Sequence, residues 1–305
     1  MPPARQGAGL WEESLGNYPA GAQGARSLEF GNGVRLAYGL DDYTDAWTSS
    51  DVVLMLHGIA ETGAVWRPWV PHVARRFRVL RPDLRGFGAS SPLDPDAPAR
   101  VALWADDLQQ LVVDLGLRRV HLVGAKLGSL VAVELAQRRP AWLATLTIAG
   151  MLISPGAAVG HWVEEWTAKI DRGGVEAWVR ATMPGRMGGG LAPEAMEWWS
   201  TTMGRAPAAT VKAALRMLPG LGEPKALEAI ACPTLVIAGG GAAAGAASRT
   251  YDQRPAVAEV RRWQARIPRS ELQILPVDSY HFAATHPDDC AELLRDFLDR
   301  QGRPA

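Results

Sequence analysis

The chain is short of several things, and each shortage removes a class of function. It has two cysteines in 305 residues, Cys232 and Cys290. Two distant thiols make neither a disulfide framework nor a metal-ligand spacing, and they fit a reducing cytoplasm. Net charge is nil, with 32 basic residues against 32 acidic ones. A balanced surface exerts no long-range pull on nucleic acid or on an anionic membrane. No apolar run reaches the roughly 20 residues that a membrane span needs. The N-terminus lacks the basic start and apolar centre of a secretory signal. No dinucleotide fingerprint and no ligand cluster appears, so neither a cofactor nor a metal is expected. The expectation is a cytoplasmic protein whose partner is a small-molecule substrate, with a homodimer left open. Lysine is scarce as well. Only Lys126, Lys169, Lys212 and Lys225 are lysines among the 32 basic residues. A cation drawn at random from this chain is usually an arginine, so a lysine at a special position points to a residue that was selected or introduced.

Hydrophobic residues make up 48% of the chain, enough for one large α/β core and an inserted subdomain. Residues 1–25 are rich in Gly, Ala and Pro without a sustained period, which suits a flexible N-terminal arm. Asn32-Gly33 between two β-type runs predicts a hairpin. Residues 52–56 form a continuous apolar run, as a strand buried on both faces should. Helical spacing predicts helices over 66–76 and 101–115, although Pro68 and Pro71 blur the start of the first. Further strands are expected at 77–80, 120–123, 144–149, 234–238 and 272–275, with helices between them. This alternation implies βαβ units and a parallel sheet. It breaks over 151–227, where only helical segments appear, separated by Gly/Pro stretches. The expected division is therefore a body over 26–150 and 228–305, with a helical cap over 151–227. Five of the twelve tryptophans lie in the cap: Trp162, Trp166, Trp178, Trp198 and Trp199. Trp162, Trp166 and Trp178 are the candidates for an apolar substrate pocket; packing within the cap is the plainer reading.

The most informative stretch is 120–129. An apolar run leads into Gly124-Ala125-Lys126-Leu127-Gly128, and an Ala/Leu/Val-rich helical segment follows. Strand, tight turn and helix is the setting of a nucleophile elbow, which normally reads Gly-x-Ser-x-Gly. Three further landmarks stand in order around it. His57-Gly58 follows the strand at 52–56. Arg81-Pro82-Asp83-Leu84-Arg85-Gly86-Phe87-Gly88 forms a glycine-rich loop after the next strand. Tyr280-His281-Phe282 precedes an apolar C-terminal helix. On these residues the chain resembles the α/β-hydrolase fold superfamily, in its capped esterase, epoxide hydrolase and C–C hydrolase branches. The resemblance covers roughly 26–300 and implies a mostly parallel eight-stranded sheet flanked by helices.

The resemblance also assigns roles. His281 falls at the catalytic base, and the N–H groups of Ile59 and Leu127 fall at the oxyanion hole. His57 would brace the loop. At the elbow and at the triad acid the chain departs from the family. Lys126 stands where the nucleophilic serine should be. After the strand at 234–238 comes Gly239-Gly240-Gly241, with no carboxylate until Asp252. Asp278 or Asp252 can be weighed as substitutes, and Glu61 as a partner that keeps Lys126 charged or, in the plainer reading, as a solvated loop carboxylate. An acyl group on a lysine is an amide, slow to hydrolyse, so the usual acyl-enzyme route is nearly closed. Lys126 with His281 instead fits water-activating hydrolysis or lyase-type chemistry on a small carbonyl, ester or lactone substrate. The alternative is a non-catalytic ligand-binding protein on a hydrolase scaffold.

Overall fold

A computed structural model describes residues 25–188, 191–240 and 250–301. The expected N-terminal arm lies outside these residues, except for Ala25, which already begins the first strand. Eight strands form one sheet: β1 (Ala25–Glu29), β2 (Arg35–Asp41), β3 (Val52–Leu56), β4 (Arg78–Pro82), β5 (Val120–Ala125), β6 (Leu143–Ala149), β7 (Thr234–Gly239) and β8 (Ser270–Leu275). Their spatial order is β1-β2-β4-β3-β5-β6-β7-β8. The hairpin strand β2 runs antiparallel to both of its neighbours. All other pairs are parallel.

The run read as a two-face-buried strand is β3, and all five of its residues are buried. It lies between β4 and β5. From β3 the chain steps first to β4 on one side and then back to β5 on the other. That reversal opens a crevice at the C-terminal ends of β3 and β5, where ligands bind in open α/β sheets. His57 and Gly58 leave the end of β3, and Lys126 leaves the end of β5.

Helices cover the sheet. In chain order they are α1 (Val70–Val73), α2 (Val101–Asp114), α3 (Leu127–Gln137), α4 (Pro155–Val159), α5 (Val163–Met187), α6 (Pro193–Gly204), α7 (Ala208–Met217), α8 (Val257–Gln264), α9 (Phe282–Thr285) and α10 (Pro287–Arg300). The helix expected over 66–76 is corrected. A 3-10 segment, Gly63–Trp69, contains Pro68, and only the short α1 follows it, with Pro71 in its first turn. Proline lacks the N–H that a regular helix interior needs, so an α-helix starts only after Pro68. Trp66 and Trp69 are buried nonetheless, as their spacing required.

Between β6 and β7 the described residues contain helices and no strand. The long helix α5 bends at Gly174, whose φ is +77°, and packs against α6 and α7. Among the described residues no helix is long and apolar enough to cross a membrane.

Candidate active site

Lys126 sits at φ +55° and ψ −114°, between the end of β5 and the first residue of α3. Such a backbone is strained for a residue with a side chain, by roughly 1–3 kcal/mol, and persists only where the surroundings enforce it. Two glycines enforce it here. A Cβ on Gly124 would lie 2.4 Å from the Gly128 carbonyl oxygen, and one on Gly128 would lie 2.1 Å from that of Leu56. Backbone approaches backbone at both points, so neither position accepts a larger residue. Ser129, the nearest hydroxyl along the sequence, is fully buried and donates to Gly124 O at 2.7 Å. It is not available as a spare nucleophile.

The loop after β3 brings up a carboxylate. Glu61 N–H donates to Gly58 O at 3.3 Å, closing a turn in which Ala60 has φ +62°. That turn folds Glu61 back so that its Oε2 accepts from the Gly58 N–H at 2.9 Å. Its Oε1 accepts from Lys126 Nζ in a buried ion pair. His57 braces the same loop, as expected. Its Nε2 accepts from the Leu84 N–H at 2.9 Å, so Nδ1 carries the hydrogen that goes to Gly58 O at 2.8 Å. Burial holds the His57 imidazole below its usual range.

His281 reaches the same nitrogen from the other side. Its Nδ1 lies 2.9 Å from Lys126 Nζ. Burial, followed by the Lys126 and Arg186 cations, holds its imidazole well below the usual range, so the ring is neutral near pH 7. An ammonium has no lone pair and can only donate. With Lys126 charged, Nδ1 is the acceptor and Nε2 bears the hydrogen. That Nε2 is buried without a hydrogen-bond partner among the described residues. Burial also lowers the Lys126 ammonium from the ordinary lysine range; Glu61 opposes this, and Arg186 adds to it.

A cavity of about 60 Å3 opens beside these groups. Ile59, Glu61, Lys126, Leu127 and His281 all line it, as do Trp166 and Trp178. The N–H groups of Ile59 and Leu127 have no hydrogen-bond partner among the described residues. The structure therefore brings together both expected catalytic residues, both expected oxyanion donors, Glu61 and two of the three expected tryptophans.

Two expectations are corrected. Trp162 does not line the cavity. Its ring stacks on Trp166 at 5.6 Å and meets Tyr251 edge-on at 5.5 Å, one layer behind the pocket wall. Asp278 does not support His281. Its Oδ1 lies so close to Gly188 that a Cβ there would be 2.5 Å away, and its charge acts on Arg254. Asp252, the other substitute weighed, pairs with Arg254 at 2.6 Å.

Two residues of the site were not anticipated. Trp199 faces the His281 ring edge-on at 6.5 Å, and its ring centroid is 5.9 Å from Lys126 Nζ. Its neighbour Trp198 points outward, 48% exposed. The sequence offers this adjacent pair without saying which member turns inward. Arg186 also lines the cavity. It sits in a Met-Pro-Gly-Arg stretch that reads as a loop, and nothing in its type or spacing marks it.

The comparisons with known proteins agree with this fold. The family model for the alpha/beta hydrolase fold matches residues 51–174, the span from β3 through the elbow into α5. A Caulobacter sp. (strain K31) protein named "Putative carbamate hydrolase RutD" is 26% identical over 258 residues, covering 81% of this chain and 90% of that protein. Seven further curated relatives are matched over 26% to 53% of their own length. Among solved structures, a thermophilic esterase from Thermogutta terrifontis superposes with a TM-score of 0.77 at 23% identity, over 92% of this chain and 100% of that one. The enol-lactonase from Burkholderia xenovorans LB400 gives 0.72 at 20% identity, over 88% and 98%. Sheet order, elbow and matched segment together show that the chain has the α/β-hydrolase fold.

Proposed function

We propose that the protein is a hydrolase-type enzyme for a small ester, lactone or related carbonyl substrate, with Lys126 acting as a charged group rather than as a nucleophile. The helices between β6 and β7 serve as its cap. The observation that carries this reading is the buried contact set on one nitrogen: Lys126 Nζ meets the Glu61 carboxylate and, at 2.9 Å, His281 Nδ1. Glu61 favours the protonated form. The ammonium has a third hydrogen left for a substrate oxygen. Beside the Ile59 and Leu127 amides it would stabilise the negative charge that grows on a carbonyl oxygen under attack. A substrate oxygen that draws the ammonium away from Nδ1 frees that lone pair to take a proton from an attacking water. No acyl-enzyme forms on this route, which avoids the dead end of an acyl-lysine. The hydrolase names of relatives and structural neighbours support the same class of reaction.

One observation favours a second reading. Burial pushes the Lys126 ammonium toward the neutral amine, the form that condenses with a ketone or aldehyde. Borohydride treatment with substrate present separates the two. The charged role gives no adduct, loss of turnover in Lys126→Ala and partial turnover in Lys126→Arg. A borohydride-fixed mass on Lys126 selects the imine. Undiminished turnover in Lys126→Ala ends both readings. Tight binding of esters and lactones by the parent, with no turnover at all, would leave a ligand-binding protein.

A further inference from the structure

Arg186 is a buried cation that the chemistry above leaves unused. It lies near the C-terminal end of α5 and is 5% exposed. Its guanidinium carbon is 4.8 Å from the Trp178 ring centroid, and Nη2 donates to Thr182 Oγ1 at 2.8 Å. These two contacts fix the orientation of the guanidinium but use one of its five N–H donors. Nε is enclosed and has no hydrogen-bond partner among the described residues. The other buried arginine among those residues, Arg81, is neutralised at 2.7 Å by Asp41. Arg186 has no such carboxylate among the described residues. Glu61 acts on it only through space, being bonded already to Gly58 and Lys126. Burial pushes the Arg186 guanidinium down to about 10, where it is still charged at neutral pH.

Among the described residues the charges around the cavity therefore do not balance. Glu61 offsets Lys126, His281 is neutral, and the charge of Arg186 is left over. Most of the remaining wall is apolar, including Leu130, Leu152, Val159, Leu215 and Leu218. An unpaired charge in such surroundings is costly, and a forked guanidinium is shaped to receive a carboxylate. A ligand that brings the missing negative charge removes the cost. The cavity, of about 60 Å3, suits a small ligand.

We propose that the substrate is a small, short-chain ester, lactone or ketone that also bears a carboxylate, and that Arg186 receives this carboxylate while Lys126 takes the reacting carbonyl oxygen. The proposal rests on reading this cavity as the substrate site.

Butyrate and butyramide match in shape and differ in charge. Each is titrated into the full chain at constant ionic strength, followed by tryptophan fluorescence, since Trp166 and Trp178 line the cavity. Butyrate should bind about tenfold or more tighter than butyramide, the size of a charge-assisted hydrogen bond. Equal affinities, or no butyrate binding, overturn the proposal whatever any variant does. Arg186→Met keeps most of the stem and removes the charge, so the preference should vanish; Arg186→Lys should keep part of it. A preference that survives Arg186→Met but disappears in Lys126→Met assigns the anion to Lys126 and overturns the Arg186 site. Should Arg186→Met fail to fold, Thr182→Val only loosens the guanidinium and should weaken butyrate binding while sparing butyramide. Loss of both affinities together would mark a packing role and count against the proposal. Binding and turnover are read separately. Undiminished turnover in Lys126→Ala with the butyrate preference intact would sink the lysine mechanism and leave the carboxylate site standing.

Discussion

At the scale of single residues, the Lys126–Glu61 pair controls the site. Both side chains are almost enclosed, at 10% and 2% exposure. Glu61 also accepts from the Gly58 N–H, so it fixes the loop after β3 as well as the charge on Lys126. Glu61→Gln keeps an acceptor for Gly58 but strands a buried ammonium. Breaking one side of a buried pair costs about 3–5 kcal/mol, whereas replacing both partners costs far less. The double variant Glu61→Gln/Lys126→Met should therefore be more stable than Glu61→Gln alone. Urea unfolding of both single variants and the double variant measures the coupling. Strictly additive losses would mean that the two groups do not hold each other in the fold.

At the scale of elements, the elbow shows what could be read in the sequence and what could not. Gly124 and Gly128 announced a tight strand–turn–helix, and the structure gives each a backbone neighbour within 2.4 Å of where a Cβ would lie. The apolar run of β3 and the alternation of strands with helices gave the sheet for the same reason: side-chain period and burial are local properties. The pairing of Lys126 with Glu61 was legible only as one of two readings, a solvated loop carboxylate being the other, because it depends on β3 and β5 lying side by side. Arg186 was hidden by its local sequence. The helical pattern fades before Pro184, yet α5 continues to Met187. The helix end packs so tightly on the 250 region that a Cβ on Gly185 would lie 1.8 Å from Thr250 O. That long-range contact, not helix propensity, positions Arg186 in the pocket. A prediction at this scale contrasts two glycines. Gly128→Ala drives a methyl into the Leu56 carbonyl and should cost at least about 1–3 kcal/mol, with a larger fall in activity because Lys126 is displaced. Gly222→Ala meets nothing within 4 Å and should change stability by less than about 0.5 kcal/mol. Thermal unfolding of the two variants side by side is the check; equal effects would contradict the close approach at the elbow.

At the scale of the whole molecule, the same burial that shapes the site makes stability depend on pH. His57 and His281 are both held below their ordinary value of 6.5, in each case chiefly by burial. Below that value the unfolded chain binds protons that the folded chain refuses. Stability rises with pH wherever the unfolded state binds more protons. The contribution of these two residues is thus complete above the unfolded value and is lost progressively as the pH falls below it. Each refused proton is worth roughly 1.4 kcal/mol per pH unit. The carboxylates whose values are depressed, such as Asp51, titrate further into acid and add little between about pH 7.5 and 5.5. His281→Asn should flatten the fall in unfolding free energy over that interval, by up to about 1.4 kcal/mol per unit at its acid end. The comparison uses the slope and not the level, because the substitution also changes packing against Trp199 and the contact with Lys126. An unchanged slope would show that His281 takes up its proton inside the fold. The ring would then be an imidazolium beside an ammonium, Nδ1 could no longer accept from Lys126, and the proton-transfer role given to His281 would have to be abandoned.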